Sequence, residues 1–346
     1  MARPLRLQLA DAWYHVTARG LERRNIFTRE EHYAHFLELL AAWVPRFRLV
    51  LHAYVLMPNH VHLLVSTPEA NLSAAMQWLK TSYSMWCNRR TRRVGPLFQG
   101  RYKAELLEGR AVAWAITQYV HLNPVRVQAL GLGKVEKLRE RRGASVPAPV
   151  LVQQRLAVLR DYRWSSYAFY SGQQAAPPWL TVRAVLTGGR VAGLAQQQAA
   201  YRRAVAAVVS AGATAPELPP AVGGLLRGGA AWVLAMRRRL TGDEQEQSAL
   251  HHLALRPDWT AVRRAVEQVK GEPWAHFAAR HGDTGRDVAL SVMRREGGVT
   301  LRAAGQLVGL TTYNAAAQAI RRLYARQLRD KNLRRIMSEV VKCIKV

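Results

Sequence analysis

The sequence predicts an α+β protein, with a ferredoxin-like antiparallel sheet and its helices in the first half and an all-α, basic region at the end. Three observations lead there. Between residues 13 and 122 the patterned segments run strand, helix, strand, strand, helix, strand, helix. Beyond about residue 231 every strand pattern disappears. Between the two, residues 205–230 are rich in Ala, Gly, Val and Pro, the composition of a linker. The expected division is therefore a sheet domain at 1–180, a helical or linker region at 181–235 and an all-α helix-turn-helix domain at 236–346.

Trp13 to Arg19 (WYHVTAR) reads as the first strand, followed by the polar loop GLERRN. Residues 29–43 follow helical spacing, with Phe36, Leu37, Leu40 and Trp43 on one face. Two β-rich runs, 47–57 and 60–66, are separated only by Pro58 and Asn59, which is a hairpin pattern. A second helix opens at Asn71 and runs to about Asn88, its apolar stripe being Leu72, Met76, Leu79, Tyr83 and Trp86. The basic loop RRTRRVGPLFQG leads into a strand at 101–108, and a helix at about 110–122 ends before Asn123-Pro124. A βαββαβ order calls for an antiparallel sheet with helices on one face. Residues 131–150 read as a charged excursion, and DYRWSSYAFYSG closes the first domain.

The net charge is +28, from 51 Lys and Arg against 23 Asp and Glu. Such an excess repels itself in a compact state and points to a polyanionic partner, nucleic acid. With 49% hydrophobic residues and ten tryptophans, the chain has material for folded cores rather than a disordered packaging tail. Only Cys87 and Cys343 are present, which excludes a disulfide framework and a zinc finger and suits a reducing cytoplasm. The first residues lack the apolar core of a signal peptide, and no apolar run approaches the ~20 residues of a membrane helix. A cytoplasmic, nucleoid-associated protein with no membrane partner is expected.

His60-Val61-His62 is the most informative tripeptide. Side chains alternate along a strand, so His60 and His62 share a face and can hold one ion, while Val61 faces the core. A lone His-x-His is more often structural than ligating. The helix ending in QYVHLNPVR adds Tyr119 and Asn123, four apart and on one face. A tyrosine hydroxyl becomes a useful nucleophile where a metal neutralises the phosphate under attack. Asn123 could give a carbonyl oxygen as third ligand, which suits Mg²⁺ or Mn²⁺. Taken singly, Tyr119 reads better as a core aromatic, and Asn123 can be a helix C-cap before Pro124.

Several motifs together resemble a known family. YVLMPNHVHLLV (54–65), GPLFQGRYKAELL (95–107), QYVHLNPVRV (118–127), WSSY (164–167) and the opening DAWYHVTARGLERRNIF (11–27) are similar to the HUH single-tyrosine transposases, and within them to the bacterial REP-associated tyrosine transposases. The resemblance spans roughly residues 1–180. It implies a ferredoxin-like catalytic domain acting on single-stranded DNA as a dimer, with His60 and His62 as the metal pair, Asn123 as third ligand and Tyr119 as nucleophile. It also implies a 5′-phosphotyrosyl intermediate, a free 3′-hydroxyl and substrates that are palindromic hairpins of the REP type.

Candidate DNA contacts follow from charge. Arg19, Arg23 and Arg24 come after the first strand, and Arg89, Arg90, Arg92, Arg93, Arg101 and Lys103 form a basic run suited to phosphate. Trp86, Phe98 and Tyr102 could stack on bases, although core positions are the commoner fate of such aromatics. Residues 300–328 read as helix, turn and helix, with Thr311, Thr312, Asn314 and Gln318 as base-edge candidates and Arg321 and Arg322 for phosphate. The segment resembles the DNA-binding domain of the replication initiator DnaA, but Ala315 to Ala317 stand where a reading helix carries longer polar groups. A helical bundle that only positions its neighbour is the alternative there. For the whole chain, the alternatives to a nickase-ligase are a non-catalytic regulator that binds palindromic repeats and a metallohydrolase. The second lacks carboxylates on the 47–66 strand pair.

Overall fold

A computed structural model describes residues 7–126, 130, 146–187, 193–212, 216, 218–219, 221–240, 257–280, 282–297 and 299–344. The chain divides into two compact units, Met1–Leu253 and Ala254–Val346. Most of the expected charged excursion, residues 131–145, lies outside the described residues.

The first unit is built on a six-stranded sheet in the order β2-β3-β1-β4-β6-β5. Strands β1 (Ala12–Arg19), β2 (Val50–Met57), β3 (His60–Thr67) and β4 (Lys103–Leu107) each run antiparallel to their neighbours among the four, the expected ferredoxin-like plan. Helices α1 (Glu30–Arg46) and α2 (Leu72–Thr91) pack on each other, Trp43 donating its indole N–H to the Ala75 carbonyl at 2.8 Å. They cover the sheet face that carries Tyr14, Val16, Val61, Leu63 and Val65, all essentially inaccessible to water. Helix α3 (Gly109–His121) corrects the expectation of helices on one face only. It lies across the other face, where its Tyr119 ring meets the rings of His15 and His62. Its buried residues Val112, Ala113, Ile116, Thr117 and Val120 form an apolar stripe that can cover a sheet, as α1 and α2 do on the opposite side.

Both edges of this sheet are closed. Along β2, Trp164 to Ser166 and Thr181 add backbone hydrogen bonds to Leu56, Tyr54 and Leu51. On the far side β5 (Ala221–Val222) and β6 (Leu226–Arg227) form a hairpin, with β6 parallel to β4. Such closure removes the unpaired backbone groups that make an edge strand prone to association.

The linker candidate at 205–230 is instead part of the first unit's fold. Its Gly223 and Gly224 have positive φ, 60° and 67°, and make the tight β5–β6 turn rather than a flexible spacer. Helix α5 (Leu194–Ser210) in the same stretch buries Tyr201, Val205 and Val209 in the first unit's core, together with α4 (Pro149–Asp161) and α6 (Ala230–Arg239). The reason is physical: a two-residue strand leaves no period to read, and Ala and Val serve a buried helix as well as a loop.

A buried polar network holds α3 against β2 and α5. The His121 ring contacts the Tyr201 hydroxyl through Nδ1 and the Ser166 hydroxyl through Nε2, each at 2.7 Å. Ser166 also bonds the Tyr54 backbone, accepting from its N–H at 2.9 Å and donating to its carbonyl at 3.1 Å. The His121 of QYVHLNPVR and the serine of WSSY thus meet in space.

The second unit is all helical: α7 (Trp259–Lys270), α8 (Gly285–Arg295), α9 (Leu301–Leu307), α10 (Tyr313–Gln327) and α11 (Lys331–Ile344) around Val262, Phe277, Val288, Leu290 and Ala316. No described helix is long and apolar enough to cross a membrane.

Tyr201→Phe should lower the unfolding free energy by about 1–3 kcal/mol, because it leaves a buried imidazole nitrogen without its partner. Urea titration of the two proteins checks this, and an unchanged midpoint would remove the network from the fold's stabilising contacts.

Candidate active site

Strand register assembles the site. β1 lies between β3 and β4, with Arg19 opposite His60, Thr17 opposite His62 and Lys103, and His15 opposite Glu105. These residues share one sheet face, as alternation along each strand requires. His60 and His62 stand with ring centres 5.0 Å apart.

Helix α3 then lays Tyr119 over the pair, its ring centre 5.8 Å from that of His62 and 5.6 Å from that of His15. One turn further on, the Asn123 amide does two things. Its Nδ2 donates to the Tyr119 and Val120 carbonyls at 3.0 and 3.1 Å, capping the helix, and the side chain also hydrogen-bonds His60. Asn123 thus caps the helix and reaches His60 with one side chain.

Burial is the main influence on the histidines. It pushes His60 down to about 4, assisted by the nearby Arg19 and Arg126, and it pushes His62 well below the ordinary imidazole value. Both rings are thus neutral at physiological pH, the form a metal requires. Their partners leave one nitrogen of each for that purpose. His60 Nδ1 meets the Asn59 side-chain oxygen at 2.6 Å, and His62 Nδ1 meets His15 Nε2 at 2.8 Å and the Thr17 hydroxyl at 3.3 Å. Two imidazole Nε2 atoms and an amide oxygen then make a donor set that suits a borderline or hard divalent ion. Among the described residues no three His, Cys, Asp or Glu side chains form such a group, so the amide is needed to complete it.

Four residues of this site are absent from the motif reading. His15 joins His62 to Glu105, whose Oε2 lies 3.5 Å from His15 Nδ1. Glu105 is gripped by Arg227 through Nε at 2.8 Å and Nη2 at 3.0 Å. Burial opposes its charge, but the bonds from His15 and Arg227 prevail and hold it down at about 2. Arg126 places its guanidinium 4.7 Å from the centre of the Tyr119 ring. Of these, His15 had a readable signal: it shares strand parity with Trp13 and Thr17.

The candidate DNA contacts divide. Arg19 ends β1 beside His60, and Lys103 stands on the site's own face. The basic loop after α2 is fastened to the end of β1 by Leu21 N–H to Leu97 O and Gln99 N–H to Arg19 O, both near 2.9 Å, which brings that loop to the same end of the sheet. Arg23, Arg89, Arg92 and Arg101 are exposed and Arg93 half-exposed. Arg90 and Arg24 have carboxylate partners, Glu31 at 2.9 Å and Glu22 at 2.7 Å. Both pairs are exposed, so a polyanion can compete for them at small cost. The stacking candidates go to the core: Phe98 and Tyr102 are buried, and Trp86 stacks on His35.

In the second unit, Thr300 and Thr312 cap α9 and α10 by accepting from Ala303 and Ala315 N–H. Gly309, at φ 81°, makes the turn between them. Thr311, Thr312, Asn314, Gln318, Arg321 and Arg322 are exposed, together with Tyr313. The alanine run has a packing cause: Ala316 is buried, and a Cβ on Gly305 would come 3.1 Å from its methyl group. Small residues there let the two helices approach.

The site thus sets a neutral His-x-His pair on a ferredoxin-like sheet beneath a helix carrying Tyr119 and Asn123. Residues 8–123 match the family model described as "Transposase IS200 like". Among solved structures, a REP-associated tyrosine transposase bound to a REP hairpin is 15% identical, covering 52% of this chain and 92% of that one with a TM-score of 0.37. No curated protein matches the chain.

Stability should decline as pH falls below about 6.5, the free histidine value. His52 and His121 are held down by burial at about 4 and about 3, so each remains neutral in the folded protein while the unfolded chain takes up a proton. Each contributes up to about 1.4 kcal/mol per pH unit in that window. Urea unfolding at stepped pH measures the slope, and a flat profile from pH 7 to 5 would contradict it.

Proposed function

We propose that the chain cuts and rejoins single-stranded, hairpin-forming DNA, with Tyr119 as nucleophile and His60, His62 and Asn123 as the seat of a Mg²⁺ or Mn²⁺ ion. The observation that carries this reading is the convergence of Tyr119 on the His60–His62 pair, from a helix whose next turn bonds His60 through Asn123. The match of residues 8–123 to a transposase family model supports it. So does the +28 charge, since a polyanion must be drawn to the site.

The Tyr119 phenol oxygen attacks a backbone phosphorus. A phosphorus–oxygen bond forms to Tyr119, the bond to the 3′-oxygen breaks, and that oxygen takes a proton from solvent as the phenol loses its own. The products are a 5′-phosphotyrosyl link and a free 3′-hydroxyl. Because bond types are exchanged one for one, the reverse attack by a 3′-hydroxyl rejoins strands without ATP. A divalent ion at the histidines would supply positive charge to the phosphate oxygens as charge develops. Arg126 over the Tyr119 ring, Arg19 beside His60 and Lys103 on the same face hold the phosphate near the phenol. In the helical unit, Thr311, Thr312, Tyr313 and Asn314 are offered to base edges, and Arg321 and Arg322 to phosphate.

With a labelled palindromic hairpin and Mn²⁺, the protein should give a covalent band in a denaturing gel. Tyr119→Phe should abolish the band, and His62→Ala or chelator should suppress it, while hairpin binding in a native gel persists. Persistence of the band in Tyr119→Phe would refute the nucleophile. Strong hairpin binding with no band under any metal would make the chain a DNA-binding regulator.

A further inference from the structure

We propose that Arg227, Glu105 and His15 form a positioning relay that fixes which ring nitrogen His62 presents, and so sets how tightly the histidine pair holds a divalent ion. The inference rests on the reading of His60 and His62 as a metal seat. Its distinctive part is Arg227, which lies on β6, outside the 8–123 segment matched by the family model.

The order of hydrogens along the chain follows from its ends. An ionised carboxylate only accepts, so the His15 nitrogen facing Glu105, Nδ1, carries the hydrogen. With that hydrogen on Nδ1, His15 Nε2 can offer its lone pair to His62 Nδ1–H across 2.8 Å. His62 is left with a free lone pair on Nε2, the nitrogen available to a metal. Reversed, the same chain would put a hydrogen on His15 Nε2 and force His62 Nδ1 to accept, placing the His62 hydrogen on the nitrogen that must ligate. The Thr17 hydroxyl at 3.3 Å does not decide the direction, since it can donate or accept. Glu105 is the group that does.

Glu105 is itself held. Arg227 meets both its oxygens in a fork and anchors its own Nη1 on the Pro219 carbonyl at 2.7 Å. Arg227 sits beside Leu107 in the parallel β4–β6 pairing. Both side chains of the ion pair are largely shielded, 16% exposed for Arg227 and 22% for Glu105. Bidentate pairing at a shielded site fixes orientation in a way an exposed pair does not. The β5–β6 hairpin therefore reaches the metal seat through three side chains, although it lies 122 residues beyond Glu105 in sequence.

The test is Mn²⁺ affinity of the full chain, read by electron paramagnetic resonance without DNA at one fixed pH. His15→Ala and Glu105→Ala should bind Mn²⁺ roughly 10–100-fold more weakly, the usual scale for partners of metal-ligating histidines. His15→Gln should recover much of the loss, because its carbonyl oxygen accepts from His62 Nδ1–H. Adding Glu105→Ala to His15→Gln should then cost nothing further, a dependence that mere structural support does not produce. Arg227→Met, at the sheet margin, should weaken binding by roughly tenfold, and it serves if His15→Ala fails to fold. Hairpin binding in chelator should be unchanged in all of them. Wild-type Mn²⁺ affinity in Glu105→Ala and Arg227→Met would overturn the relay alone. Mn²⁺ binding in the wild type that is indifferent to His60→Ala and His62→Ala would overturn the metal seat, and the relay with it.

Discussion

The arrangement depends first on the antiparallel register of β1 between β3 and β4. That pairing puts Arg19 across from His60 and His15 across from Glu105, with Thr17 flanked by His62 and Lys103. A slip of β1 by one residue would send Arg19, Thr17 and His15 to the opposite face, against α1 and α2. The register is in turn enforced by the apolar alternates Tyr14, Val16, Ala18, Val61, Leu63 and Val65, which have no stable place except the core. Core packing and site geometry are therefore one constraint read from two sides of a sheet.

Helix α3 is the second moving part that the fold immobilises. Its tyrosine stands over the histidines, and the His121 network to Ser166, Tyr201 and the β2 backbone supplies a polar latch beneath the apolar contacts. Asn123 closes the helix and touches His60 with the same amide. Residues well beyond the family-matched segment thus support its geometry: Tyr201 through α3, and Arg227 through Glu105.

Much of this was legible in the sequence, for identifiable reasons. The hairpin around Pro58-Asn59, the shared face of His60 and His62, and the Tyr119–Asn123 spacing all depend on local periodicity, which the residues display directly. The capping use of Asn123 was legible too, because Pro124 follows it. Contacts across strands were not. Nothing near His15 says that it faces Glu105, and nothing near residue 227 says that it returns to residue 105. The Gly-rich stretch misled for a related reason, since Gly223 and Gly224 serve a turn between strands too short to show alternation. In the helical unit, Ala315 to Ala317 looked like missing base contacts, whereas Ala316 closes the approach to Gly305.

We propose Tyr119 as the residue that bonds covalently to DNA. The most direct measurement is mass spectrometry of peptides from the wild-type protein after reaction with a hairpin oligonucleotide and Mn²⁺. A phosphodeoxynucleotide adduct is expected on the peptide containing Tyr119. An adduct on Tyr83 or Tyr102 instead would contradict it.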